Sequence, residues 1–245
     1  MLIWDLVAVA GLGLILGSFL NALLFRFNTG SSVLHGRSAC MRCGHTLSAL
    51  DLIPVLSYVF LRGRCRYCHT RISMQYPAVE ATAALVAVAV YLNNPEPLWF
   101  VYWFAVWMVL LFVLVYDLRH KIIPWSASLT LMALALVHAY MFGTWWGIAL
   151  GVPLLLLSLV SGGRWMGLGD GFLQLSIGGL LGLTAGLTGL MVAFWSGAIV
   201  GIVLMVARRG VTMKTEVPFA PFLILGAAVA YFLHVDLFSS LPLLF

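Results

Sequence analysis

Charge is what this sequence has least of: only 9% of its 245 residues are Asp, Glu, Lys or Arg, against 63% that are apolar. So little charge cannot cover the surface of a soluble domain, and a mean hydropathy of +1.07 excludes one. Runs of short alternating strands are missing, which excludes a porin-like barrel. The start, Met1-Leu2-Ile3-Trp4-Asp5, lacks the basic head of a secretory signal, so the first apolar segment is expected to remain as an anchor. A glycine-rich nucleotide fold is also lacking, and no residue spacing identifies a cofactor pocket.

In place of these the chain carries apolar runs, several long enough to cross a hydrocarbon core of about 30 Å at roughly 17 to 25 residues each. Spans are expected near Leu6–Leu24, Pro77–Leu92, Trp99–Tyr116, Ile122–Met141, Trp145–Val160, Phe172–Leu187, Thr188–Val206 and Phe219–Val235. The fold class is thus an all-α polytopic integral membrane protein with about eight transmembrane helices. The division inside 172–206 rests on Gly182, Gly186 and Gly189, where a turn can form, and about six or seven spans remain open.

Cations in short loops gather on the cytoplasmic side. With this set of spans Arg26, Arg37, Arg42, Arg62, Arg64, Arg66, Arg71, Arg119, Lys121, Arg164, Arg208, Arg209 and Lys214 share one face, while Asp5, Glu96 and Asp236 fall on the other. Both termini are then outside. The formal charge of +5 is explained by this topology and by contact with anionic lipid heads, so no nucleic-acid partner is expected.

All four cysteines lie in the first basic loop, as Cys40-x-x-Cys43 and Cys65-x-x-Cys68. Two such pairs fit tetrahedral thiolate coordination of Zn²⁺. A cytoplasmic loop is kept reducing, which favours a metal over two disulfides; disulfides would follow from an inverted topology, and a dithiol redox pair is the other alternative. His45 and His69 stand beside the pairs but a full Cys₄ set does not need them. Between the pairs, Leu50–Leu61 is apolar, too short to span and broken by Pro54, which points to a re-entrant or interfacial segment.

Carboxylates in a bilayer are costly and usually functional. Asp117 ends one span and Asp170 opens another within Gly167-Leu168-Gly169-Asp170, both at the cytoplasmic face. Brought together, two carboxylates suit aspartic-protease chemistry, one keeping a proton while the other activates water. Gly167 and Gly169 would let a substrate strand approach the backbone closely. The plainer readings are a solvated charge beside Arg119 and Lys121 for Asp117, and a helix N-cap for Asp170. Glu80, one turn inside a span, is a candidate supporting residue; it would pair with Arg71, or with Ser18 or Asn21 of the first span, and serve packing.

Taken together these motifs resemble the bacterial type IV prepilin peptidases, also called leader peptidase/N-methyltransferases. The resemblance runs through Gly17-Ser18-Phe19-Leu20-Asn21, Arg37-Ser38 with both CxxC pairs, Asp51 with Ile53-Pro54 and Leu56-Ser57-Tyr58, and Leu61 through Arg66. It continues with Tyr76-Pro77, Val79-Glu80, Asp117 with Pro124, the Gly-x-Gly-Asp at 167–170, and Pro218-Phe219 with Pro221-Phe222.

The resemblance implies a membrane aspartic endopeptidase of the GxGD type with Asp117 and Asp170 as the catalytic pair. Its cytoplasmic-side substrates would be type IV prepilins or pseudopilins, cut after the short basic leader. S-adenosylmethionine would serve N-methylation of the new terminus, in the inner membrane of a bacterium. It divides the chain into 1–76, an anchor with a methyltransferase-associated cysteine loop, and 77–245, the peptidase. Against the family pattern, Phe172 stands where a lysine is common, Trp125 where an acid or amide is, Ala220 for a glycine and Gln75 for an arginine. Two rival classes stay open on the residues alone: a channel with Glu80, Asp117 and Asp170 as an ion path, and a zinc-stapled factor that holds pilins without cutting them.

Overall fold

The computed structural model describes residues 2–28, 38–207 and 218–238. Arg37, Arg208, Arg209 and Lys214 of the basic face lie outside the described residues. In chain order the helices are α1 (Leu2–Arg26), a 3₁₀ turn (Ala49–Leu52), α2 (Leu56–Phe60), α3 (Gln75–Asn93), α4 (Pro97–His120) and α5 (Trp125–Phe142). Then follow α6 (Trp145–Ile148), a 3₁₀ turn (Ala149–Gly151), α7 (Val152–Ser161), α8 (Leu168–Leu181), α9 (Leu183–Ala207) and α10 (Ala220–Phe232). Among the described residues the extended structure amounts to two isolated bridges, Ala39 with Thr46 and Arg64 with Arg71.

Five helices, α1, α3, α4, α5 and α9, are long and apolar enough to cross a membrane; 145–161, α8 and α10 are shorter apolar helical segments. These eight segments among the described residues coincide with the spans read from hydropathy. One boundary moves: the break expected between Leu187 and Thr188 falls at Gly182, whose φ of +81° closes α8. Glycine adopts that angle at little cost, and the adjacent Leu183 starts a fresh helix. Prolines stand in the first turns of α3, α4, α7 and α10, where the missing N–H is not needed.

Two compact units divide the chain, Met1–Leu111 and Phe112–Phe245. In the first, α1 packs along α3. Gly13 and Gly17 make the approach possible, since a Cβ on them would come within 2.6 Å of Ala84 Cα and 2.8 Å of Glu80 Cα. This four-residue spacing of glycines lets helices in lipid close on van der Waals contact. Asn21 Nδ2 donates to the Tyr76 carbonyl at 3.0 Å, and Phe25 stacks on Tyr76 at 5.0 Å.

The segment between the cysteine pairs is two short helical turns, with no residue of Ala49–Leu52 or Leu56–Phe60 fully buried. Its tie to the helices is Glu80: the carboxylate accepts the Val55 N–H at 2.8 Å and bonds the Ser18 hydroxyl. Ser18, not Arg71, is thus the partner among those expected from sequence. Val55 holds φ of +60°, which a β-branched residue adopts only when its surroundings impose it.

In the second unit α8 is the hub, packed by α5, α6, α7, α9 and α10. Nine consecutive or near-consecutive residues from Gly171 to Leu180 are buried. Small residues again set the distances: α8 meets α6 at Gly178 and Gly147, and α9 meets α10 at Gly189 and Gly226.

Candidate functional site

Asp117 sits in the last turn of α4, where its backbone carbonyl accepts the Lys121 N–H at 2.7 Å. Lys121 then turns left-handed at φ +54°, and Ile123-Pro124 lead into α5. This turn leaves Arg119 and Lys121 exposed while Asp117 is only 4% exposed, so Asp117 is not a solvated surface charge. Its Oδ2 is buried without a hydrogen-bond partner among the described residues. An unpaired carboxylate oxygen in such a place is costly to stability.

Asp170 is held at the opening of α8. The N-cap is Gly167, and Asp170 lies three residues on, its N–H bonded to the Gly167 carbonyl at 3.2 Å. Asp170 is therefore not the cap itself. A Cβ on Gly169 would meet Ile123 Cβ at 2.9 Å, so glycine there lets α8 lie directly on the loop that follows Asp117. The two carboxylates consequently come within electrostatic reach of one another. A Cβ on Gly167 would stand 3.3 Å from Asp170 Oδ2, which leaves the approach to that oxygen uncrowded by backbone-proximal atoms.

Beside the pair, Trp125 at the start of α5 meets Phe172 edge-to-face, ring centroids 5.2 Å apart. Both are singled out by the sequence as departures from the pattern the chain resembles, and they touch each other. Sequence spacing gave no sign of this, because Trp125 and Phe172 are brought together only by α5 packing on α8.

The cysteines form a second centre, in the first unit. All four are free, and their sulfurs lie within 4.8 Å of one another, with Cys40 Sγ 3.8 Å from Cys68 Sγ. Tetrahedral zinc with Zn–S of about 2.3 Å requires sulfurs about 3.8 Å apart. Each pair sits on the same knuckle: Cys40 N–H donates to the His45 carbonyl and Cys65 N–H to that of Thr70, both at 2.9 Å. The residue after each second cysteine, Gly44 or His69, takes a left-handed φ. His45 is engaged against the Tyr67 ring at 3.6 Å. Hydrogen bonding from Thr70, whose hydroxyl lies 3.4 Å from the sulfur, brings the Cys68 thiol down to about 6, toward the thiolate that ligates metals. The cluster can hold a metal ion.

Asp51, the one acid between the cysteine pairs, pins that loop. It takes the Ser48 amide and hydroxyl at 3.1 and 2.7 Å and pairs with Arg66 Nε at 2.7 Å. Burial alone would raise its carboxyl, but the Ser48 bonds and Arg66 outweigh this and hold it below the usual range. A depressed carboxylate stabilises the fold above its unfolded-state value and loses that contribution as pH falls through the folded one. Asp51→Asn is therefore expected to loosen the loop at neutral pH and to leave it less sensitive to further acidification below the ordinary carboxylate range, read by amide hydrogen exchange of residues 48–66.

A cavity of about 330 Å³ opens between α1 and this loop, lined among others by Ser18, Phe19, Arg26, Ser38 and Leu52.

With the geometry in place, the comparisons converge. Residues 12–94 match the family model of the Bacterial Peptidase A24 N-terminal domain. A Prepilin leader peptidase/N-methyltransferase of Burkholderia pseudomallei (strain 1026b) is 33% identical, over 90% of this chain and 83% of that protein. One of Pseudomonas putida is 32% identical, over 94% and 91%. The Type 4 prepilin-like proteins leader peptide-processing enzyme of Escherichia coli O78:H11 is 29% identical, over 91% of each. No solved structure matches the chain. A full-length likeness to enzymes, spanning both the cysteine loop and the aspartate pair, makes this chain a member of the prepilin leader peptidase/N-methyltransferase family.

Proposed function

We propose that the protein is a membrane aspartic endopeptidase that removes the short basic leader from type IV prepilins or pseudopilins, then methylates the new N-terminus. The observation that carries this is the meeting of Asp117 and Asp170 at the opening of α8, with one buried oxygen of Asp117 unpartnered. In the reaction one aspartate, as base, takes a proton from water while the water oxygen attacks the scissile carbonyl. The other, protonated, donates a hydrogen bond to that carbonyl oxygen. Collapse of the tetrahedral adduct breaks the C–N bond, and a proton from the pair goes to the departing amine. Gly167 and Gly169 keep side chains out of the strand's path. Glu80 supports from the first unit, by fixing Val55 and the cysteine loop against the membrane helices.

We place the protein in the bacterial inner membrane, with the cysteine loop and both aspartates on the cytoplasmic side; the apolar helices and the one-sided cations of the sequence support this. Leu50, Ile53, Leu56, Val59 and Phe60, exposed by 40 to 81%, suit burial in the lipid headgroup region beside Arg62 and Arg64. Zinc is the ion proposed for Cys40, Cys43, Cys65 and Cys68, since its tetrahedral preference fits four thiolates. Functionally we divide the chain at residue 76, with the methyltransferase-associated part before it and the peptidase after.

S-adenosylmethionine would supply the methyl group. The 330 Å³ cavity is of the size that small-molecule sites have, and its walls are mixed as such a ligand requires. Arg26 and Ser38 would take the charged amino-acid end, with Phe19 and Leu52 beside the purine. Equilibrium dialysis with labelled S-adenosylmethionine should show binding that Arg26→Ala weakens.

The deciding experiment uses the full chain in detergent with a prepilin, read by mass spectrometry. Loss of the leader is expected, followed by a gain of about 14 Da when S-adenosylmethionine is present. An uncut prepilin refutes the peptidase reading, and a cut but never methylated product refutes the second activity.

A further inference from the structure

Val55 is the point at which the apolar segment between the cysteine pairs changes direction. Its φ of +60° and ψ of −49°, with the Leu56 N–H bonded to the Pro54 carbonyl, make a γ-turn of the rare, strained, positive-φ form. A β-branched side chain makes that conformation costlier still. The turn itself uses the Pro54 carbonyl and the Leu56 N–H, so the Val55 N–H needs a partner from elsewhere. It finds one in Glu80 Oε2, at 2.8 Å.

Glu80 reaches two elements at once. α3 lies so close on α1 that a Cβ on Gly17 would stand 2.8 Å from Glu80 Cα, which puts the carboxylate beside Ser18. There it bonds the Ser18 hydroxyl as well as the Val55 amide, on a side chain only 7% exposed. Ser18 from α1, and Leu52 with Pro54 from the loop, line the same 330 Å³ cavity, and Glu80 is not among the residues that line it. One carboxylate thus ties the two walls together. The loop wall has no packing of its own to hold it: no residue of Ala49–Leu52 or Leu56–Phe60 is buried, and Leu52 is 41% exposed. Its position comes instead from polar ties on either side, Asp51 to Arg66 within the second cysteine pair and Val55 to Glu80.

We propose that Glu80 is a positioning residue for the methyl donor: by holding the Val55 turn against α1 it sets the distance between Ser18 and the wall at 52–54, and so the width of the S-adenosylmethionine cavity. This rests on the reading above that the cavity binds S-adenosylmethionine. Glu80 acts through the turn and meets neither the donor nor the reacting atoms. Without its carboxylate the turn relaxes toward the negative φ that valine prefers, which shifts Pro54 and loosens the grip on the donor.

The test is equilibrium dialysis of the full chain in nanodiscs with labelled S-adenosylmethionine, with amide hydrogen exchange of residues 53–57 and zinc content measured on the same samples. Glu80→Gln, which keeps the shape and gives up the charge, is expected to raise the Kd about tenfold, as for weakening a hydrogen bond to a charged group, and to speed exchange at the Val55 amide. Methylation of a pre-cut pilin should show the same rise in KM for the donor, with kcat within about twofold. Val55→Gly in the Glu80→Gln background should recover about threefold or more of the lost affinity, because glycine takes a positive φ at little cost. An unchanged Kd in Glu80→Gln overturns the proposal. So does loss of zinc along with the affinity, which would make Glu80 a support of the whole loop. No recovery with Val55→Gly overturns it too, by taking the turn out of the route. If the wild type binds no S-adenosylmethionine, the donor reading fails and takes this one with it; wild-type binding that Glu80→Gln leaves unaltered fails this one alone.

Discussion

Asp117→Asn and Asp170→Asn are each expected to lower prepilin cleavage by at least about a thousandfold, near the limit of what general acid and base catalysis supplies. Asparagine keeps the shape of the side chain and removes the ability to take and return a proton, so the loss should appear in kcat rather than in KM. Both variants should remain inserted and folded. Asp117 Oδ2 has no partner to lose among the described residues, and Asp170 keeps the tie from its N–H to Gly167, while the bond its carboxylate takes from the Gly167 backbone can be kept by the asparagine oxygen. The double variant should be no worse than either single one, because two groups that act as a unit fail together. Cleavage by either variant at a rate near that of the wild type would remove the pair from the mechanism.

The second large effect belongs to the metal. Cys65→Ser is expected to reduce bound zinc from one ion per chain to a small fraction of that, measured by elemental analysis, and to expose residues 38–72 to protease. Cys65 is the buried member of the set, 4% exposed. Its knuckle is closed by bonds to Thr70 and from His69. Structural zinc sites of this kind supply on the order of 10 kcal/mol of apparent binding energy, which is folding energy for a segment with so little buried core. Cys43→Ser, at the exposed corner, should lose less. Cleavage should suffer far less than in the aspartate variants, while methylation, placed by the proposal beside this loop, should fall with the zinc. Full metal content in Cys65→Ser would refute the Cys₄ site.

Much of the fold was legible in the chain because a bilayer imposes a rule that sequence expresses directly. Each crossing must satisfy its own backbone, so it appears as one apolar run of helical length. The eight apolar segments followed from that rule, and the position of the break at Gly182 did not, since several glycines nearby permit a turn and only packing against the neighbouring helices selects one. The cysteine site was equally legible: a knuckle is local, and four residues encode it. Glu80 shows the limit. Its burial in a helix pair was visible, but its bond to Val55 depends on a strained turn in a loop that hydropathy cannot fold.

Sequence by itself thus determined the membrane class and the four-cysteine cluster that can hold a metal ion, and it singled out the two aspartates proposed here as the catalytic pair, all of which depend on residue type and short spacing. Tertiary structure decided what stands around the aspartates. It laid Gly169 on Ile123 to bring them together and set Trp125 against Phe172. Those residues lie on different helices, separated by tens of positions. Which faces meet is fixed by the close approach of small residues across helices, a property of the packed molecule that no single segment contains.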